Sequence, residues 1–260
     1  MAIDSAPEAP PASTGYAPAW RRLPQALLDL LLPRECALCA GVLDPAESAA
    51  GMCVECARSL PGADAPRCAV CGLRNGTAHR PSCGAGAASI PTLVCCDYAP
   101  PADRLVTAFK HGRRLALGRA IGAAMAARLE AYRQAQALPS GTALLAVPIA
   151  PSRLAGRGFD PTALLARRIG ACSGLPVASA GLARIRDTRP QPGLARASRR
   201  DNLHGAMRGS PALAGRTLVL VDDIITSGAT IREAERAALA AGGRPVLRLA
   251  FARTPAPGSA

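Results

Sequence analysis

Thr217-Leu218-Val219-Leu220-Val221-Asp222-Asp223-Ile224-Ile225-Thr226-Ser227-Gly228-Ala229-Thr230 is the stretch from which the rest of the chain is read. Residues 217–221 form an apolar run and read as a buried strand. The strand delivers two adjacent carboxylates, Asp222 and Asp223, to its carboxyl end, where open α/β sheets bind ligands. Gly228 permits a tight turn, and a helix follows from about Thr230 to Ala241. Successive backbone N–H groups at a helix start form an anion cradle. The hydroxyls of Thr226, Ser227 and Thr230 add donors suited to a phosphomonoester, and Ala229 completes the loop. The paired carboxylates suit a ribose phosphate, because they accept hydrogen bonds from the 2′- and 3′-hydroxyls and help hold Mg2+ indirectly. A plain strand-to-helix turn would leave both acids and every loop hydroxyl without a purpose.

Working outward, residues 92–98 read as a strand, 102–111 and 117–134 as helices, and 143–149 as a buried strand. A Pro/Arg loop precedes a helix from Pro161 to about Cys172. Residues 184–208 are rich in arginine and lack a period, and 245–251 read as a final strand. Strand–helix alternation predicts an α/β domain with a largely parallel sheet over residues 91–253. Residues 1–19 read as a disordered leader and 254–260 as a disordered tail. Residues 20–32 have the leucine spacing of a short amphipathic helix, ended by Pro33.

Residues 34–90 have few large apolar side chains and need staples to fold. Cys36-x-x-Cys39 and Cys53-x-x-Cys56 are separated by thirteen residues, the spacing of a ribbon holding one tetrahedral Zn2+ on four thiolates. A second set is less regular. Cys68 and Cys71 form a complete pair and Cys83 lies downstream, but Arg80 stands where the next pair would begin. His79 is the nearest substitute, giving a Cys3His set. Cys95, Cys96 and Cys172 read as core thiols. Residues 20–90 are therefore expected to form a short helix plus a double zinc-ribbon module.

The net charge of +13 is uneven. Residues 1–90 hold seven arginines against eight acids, whereas 91–260 hold 24 basic residues against ten acids. Such a domain attracts phosphates, whether of nucleic acid or of a small polyphosphate. No apolar run reaches the length that spans a bilayer, and no secretory signal is visible. The expectation is a cytoplasmic protein without membrane insertion.

The acidic pair with Thr226–Thr230 resembles the phosphoribosyl pyrophosphate (PRPP) motif of type I phosphoribosyltransferases. The wider pattern resembles the ComF (ComF/GntX) family. It is carried by Val147-Pro148-Ile149 with Arg153-Leu154-Ala155-Gly156-Arg157-Gly158-Phe159, by Arg186–Leu194, by Arg199-Arg200-Asp201-Asn202-Leu203, and by the paired cysteines in front. The resemblance implies a type I phosphoribosyltransferase fold and transfer of a pentosyl group from Mg–PRPP. It implies a role in natural competence, with single-stranded DNA and helicase or recombination proteins as partners; a non-catalytic scaffold is the alternative. Arg153 and Arg157 would face pyrophosphate oxygens. Thr188, Gln191, Arg199 and Arg200 would belong to a mobile hood. Asp160 stands where the family usually has Asn, setting a negative charge beside that loop.

Overall fold

The computed structural model describes residues 34–75, 89–112, 114–187 and 203–256. The leader, the helix expected over 20–32, His79, Cys83, Thr188, Gln191, Arg199 and Arg200 lie outside the described residues.

The elements in chain order are α1 (Pro45–Ser48), α2 (Val54–Arg58), β1 (Thr92–Asp97), α3 (Ala102–His111), α4 (Leu117–Ala135), β2 (Ala143–Ala146) and α5 (Pro151–Arg157). They continue with α6 (Pro161–Ser173), β3 (Leu182–Arg184), β4 (Met207–Gly209), β5 (Thr217–Ile225), α7 (Ala229–Ala240) and β6 (Arg244–Arg253). Among the described residues the main sheet has the order β1-β6-β5-β2, and every pairing in it is parallel. β3 and β4 form a separate antiparallel pair.

Side chains alternate across the central strands. Val219, Val221, Leu247, Leu249 and Phe251 join one buried cluster, while Leu218, Leu220 and Ala250 join the other. A strand buried on both faces is apolar throughout, as the parallel arrangement requires. The first cluster is covered by α4 and α6, whose Ile121, Met125, Leu129, Leu165 and Ile169 are almost fully buried. The second is covered by α7 through Ile231, Ala234, Ala237 and Ala238. Each large buried side chain contributes roughly 1.5–3 kcal/mol. Fold class thus follows the sequence reading: α/β, a parallel sheet with helices on both faces, preceded by a cysteine-rich segment.

Three local expectations change. β5 continues through Asp222 and Asp223 to Ile225, because its pairing with β6 persists to Ile225–Arg253. The acids therefore sit on the last residues of the strand rather than beyond it. The Pro/Arg loop holds a short helix, α5, with Pro151 in its first turn and Gly158 at φ 81° as its stop. Cys172 is exposed rather than a core thiol, whereas Cys96 is buried and its Sγ lies 3.5 Å from the Phe251 carbonyl oxygen.

The cysteine-rich segment has little core of its own, yet Cys36, Leu43, Met52 and Leu60 are buried in the same apolar cluster as Ile121 and Met125. Its backbone at Gly51 runs close against Ala120, and Arg168 of α6 donates to the Ala49 carbonyl.

Candidate phosphate site and metal centre

The two Cys-x-x-Cys turns share one hydrogen-bonding register. In the first, Cys36 N donates to Gly41 O (2.8 Å), Ala40 N donates to Cys36 O (3.0 Å), and Glu35 bridges to Val42. In the second, Cys68 N donates to Leu73 O (2.8 Å), Gly72 N donates to Cys68 O (2.9 Å), and Arg67 bridges to Arg74. Ala40 and Gly72 occupy the same step, with φ 58° and 70°.

The first turn meets the start of α2, and the sulfurs of Cys36, Cys39, Cys53 and Cys56 lie within 4.8 Å of one another. Four thiols at this spacing fit a tetrahedral Zn2+. Burial pushes the Cys36 thiol up, but N–H groups of Cys39, Cys53 and Leu38 outweigh it and hold the group at about 6. Burial, followed by the Cys53 thiol, pushes Cys56 strongly up. The second turn brings Cys68 and Cys71 together in the same conformation; their expected co-ligands His79 and Cys83 fall outside the described residues.

At the carboxyl end of the sheet, Asp222 and Asp223 are buried, at 8% and 7% exposure. Asp222 Oδ1 accepts from the Asp223 N–H (2.9 Å), and Asp223 Oδ2 meets Lys110 Nζ at 2.8 Å. Burial, then the Asp223 charge, pushes the Asp222 carboxyl up to about 7, with Lys110 offsetting part of the rise. The two adjacent buried carboxylates repel each other, and Lys110 offsets part of that repulsion through its pair with Asp223.

The loop follows directly. Thr226 is exposed, Ser227 and Thr230 are half-buried, and Gly228 and Ala229 are buried. Gly228 has φ 72°, in the left-handed region, and is the residue preceding α7. Ser227 Oγ accepts from Ala229 N at 3.2 Å. Ser227 O accepts from Arg232 Nη2 at 3.1 Å, and Thr226 O accepts from Arg253.

Arg153 and Arg157 of α5 share a cavity of about 500 Å3 with Lys110, His111 and Gly156. Leu105, Val106 and Phe109 are buried on α3, which holds Lys110 and His111 at this rim. Arg184, at the end of β3, is a further neighbour. Burial and then the Arg153 charge push its guanidinium down, while Asp187 and Asp222 counter them. The N–H of Ser152 donates to the Asp187 carboxylate (3.3 Å), tying α5 to the stem of the arginine-rich segment. That stem is closed by Ile185 N donating to Ala206 O (2.9 Å) and by Arg186 donating to His204 O.

Lys110, His111, Arg184 and Arg253 were not singled out from sequence as site residues. Lys110 had one signal: it is the only lysine in the chain. Asp160 caps α6. Its Oδ1 accepts from Thr162 N (2.9 Å), Ala163 N (3.2 Å) and Thr162 Oγ1 (2.6 Å). The carboxylate is engaged by its own helix start, which accommodates the negative charge next to α5.

Comparison with known proteins bears on the cysteine-rich segment and on the chain as a whole. Residues 27–87 match a double zinc ribbon domain. The chain is 30% identical over 208 residues to DNA utilization protein YhgH of Escherichia coli O157:H7, covering 78% of this chain and 91% of that protein. The Salmonella typhi protein of the same name is 30% identical over 229 residues, covering 86% and 99%. Competence protein F of Haemophilus influenzae is 26% identical over 204 residues, covering 76% and 87%.

Proposed function

The chain belongs to the ComF family, that of competence protein F and DNA utilization protein YhgH, and from that premise we propose that it binds Mg–PRPP, or a related ribose 5-phosphate compound, in the service of DNA utilization. The observation that carries the ligand is the buried Asp222–Asp223 pair, followed at once by a loop with a left-handed Gly228 at the start of α7. Thr226–Thr230 would hold the 5′-phosphate on backbone N–H groups and hydroxyls. Asp222 and Asp223 would accept from the ribose hydroxyls. Lys110, Arg153 and Arg157 would meet the pyrophosphate oxygens.

Mg2+ bound with the ligand would supply positive charge to the diphosphate and to the acid pair. The acids fit that role: their burial and mutual repulsion favour a neighbouring cation. In a transfer reaction, the C1–oxygen bond to pyrophosphate breaks and a bond from C1 to the acceptor forms, the acceptor losing its proton. The chain's own contribution is to orient the sugar and to neutralise the leaving group with arginine and lysine.

Calorimetry on the full chain tests this. Wild type should bind PRPP more tightly with Mg2+ than without. Gly228→Val places a side chain at φ 72° and should abolish binding of PRPP and ribose 5-phosphate alike. Asp222→Asn with Asp223→Asn should remove the Mg2+ dependence while leaving weak phosphate affinity, at about 1.5–3 kcal/mol per charge-assisted hydrogen bond. Wild type without affinity at millimolar PRPP would overturn the reading.

The non-catalytic alternative, a scaffold for single-stranded DNA, is favoured by the basic charge of residues 91–260. Phe109 and Phe251 are fully buried, so they offer no base-stacking platform. Binding of this kind would be electrostatic, and affinity for oligonucleotides should fall steeply with salt. Affinity indifferent to salt would count against it.

A further inference from the structure

We propose that Arg253 is a positioning residue that makes the phosphate affinity of the Thr226–Thr230 loop depend on the Cys68–Cys71 turn. The inference rests on reading that loop as the phosphate site. Arg253, the last residue of β6, is 4% exposed. Its Nε donates to Cys71 O at 2.9 Å. Its Nη1 donates to Ile225 O (2.8 Å), Thr254 O (3.1 Å) and Thr226 O. One rigid, planar guanidinium therefore joins the cysteine turn to the first peptide of the loop.

The geometry of a trans peptide gives this contact its consequence. Carbonyl and N–H point in opposite directions across each peptide plane. Holding the Thr226 carbonyl back against Arg253 turns the Ser227 N–H away from the cysteine turn. Arg232 does the same one residue on, holding the Ser227 carbonyl and turning the Gly228 N–H. These two N–H groups begin the anion cradle. A cavity of about 150 Å3 is lined by Ser227 and Gly228 of the loop, by Val70 and Cys71 of the turn, and by Arg253 itself. Among the described residues, Arg253 joins the two through its bonds to Cys71 O and Thr226 O.

The cysteine turn is itself keyed to the same corner. Buried Asp97, at the end of β1, pairs with Arg67 at 2.7 Å and with Arg74. Asp97 is also the register partner of Arg253. Arg67 further donates to Gly62 O and Gly72 O, at 2.7 and 3.1 Å.

A double-mutant cycle on the full chain, with ribose 5-phosphate as probe, tests the coupling. Cys68→Ser and Arg253→Met should each weaken binding about tenfold, and the double variant should bind no more weakly than Arg253→Met alone. Losses that multiply to about a hundredfold would overturn the proposal. Hydrogen exchange provides a readout free of ligand. The Ser227 and Gly228 amides should exchange faster in Cys68→Ser while those of β2 stay unchanged. Unaltered exchange at Ser227 and Gly228 in folded Cys68→Ser would also overturn it, and this arm decides alone should Arg253→Met fail to fold. If wild type does not bind ribose 5-phosphate, the phosphate reading falls, and the exchange arm still decides whether the turn and the loop are coupled.

Discussion

Ala40 and Gly72 stand at the same step of two turns with the same hydrogen bonds, and only one of them is glycine. The left-handed conformation costs an L-residue about 1 kcal/mol. Ala40→Gly should therefore stabilise the first turn by about that amount, read as a higher denaturation midpoint and slower loss of zinc to a chelator. Asp222 sets a second residue-scale expectation. Its carboxyl titrates near 3.8 in an ordinary setting and is pushed up to about 7 by burial and by Asp223. The folded protein then holds a proton that the unfolded chain has lost. The associated stability is fully present below about pH 4 and is lost as pH rises through about 7. Asp222→Asn should raise the melting temperature at pH 8 and change it little at pH 4. It should at the same time weaken Mg2+-dependent PRPP binding. A melting-temperature gain equal at both pH values would show that burial, not ionisation, governs the site.

Elements in this protein meet through buried charge as well as apolar packing. β1 ends on Asp97, whose carboxylate is 8% exposed and faces the guanidinium of Arg67, itself 4% exposed. Removing Asp97 leaves the buried Arg67 guanidinium on neutral acceptors, the Gly62 and Gly72 carbonyls, at a cost of up to about 3–5 kcal/mol. Asp97→Ala should lower stability by that order in chemical denaturation. Double substitution with Arg67→Met should recover part of the loss. α4 and α6 meet at Gly122, where an added Cβ would lie 2.6 Å from Arg168 Cγ. Gly118 lies against Phe109 in the same way, its Cβ position 2.7 Å from the ring. These two glycines set how closely α4 approaches its neighbours, and so where α3 presents Lys110 and His111.

At the scale of the whole molecule, the cysteine module and the sheet share one core. Met52 and Leu60 are buried with Ile121 and Met125, and Arg168 reaches across to Ala49. On sequence alone, losing the first zinc ligand set would be expected to unfold residues 34–57 and spare the sheet. The shared core argues for a wider effect. Cys36→Ser should lower zinc content by about one equivalent per chain, the stoichiometry of a four-thiolate site. It should also lower the melting temperature of the sheet domain, followed by circular dichroism. An unchanged sheet transition would restore the picture of two independent parts. Among the described residues no helix is long and apolar enough to cross a membrane.

The sequence by itself determined what depends on near neighbours in the chain. The alternation of apolar strands and helices specified an α/β sheet. Adjacent Asp222 and Asp223, the loop at Gly228 and the Cys-x-x-Cys pairs are contiguous patterns that can be recognised from spacing alone. Only the tertiary structure decided which distant groups meet them. Lys110 reaches Asp223 because burial of Leu105, Val106 and Phe109 docks α3 beside the end of β5. Arg184 comes within the influence of Arg153 and Asp222 at the end of its short antiparallel pair. Arg253 meets Cys71 across a separation in sequence of 182 residues. Local spacing carries no trace of such contacts, because they arise when apolar faces pack and bring the polar ends of unrelated segments to one edge of the sheet.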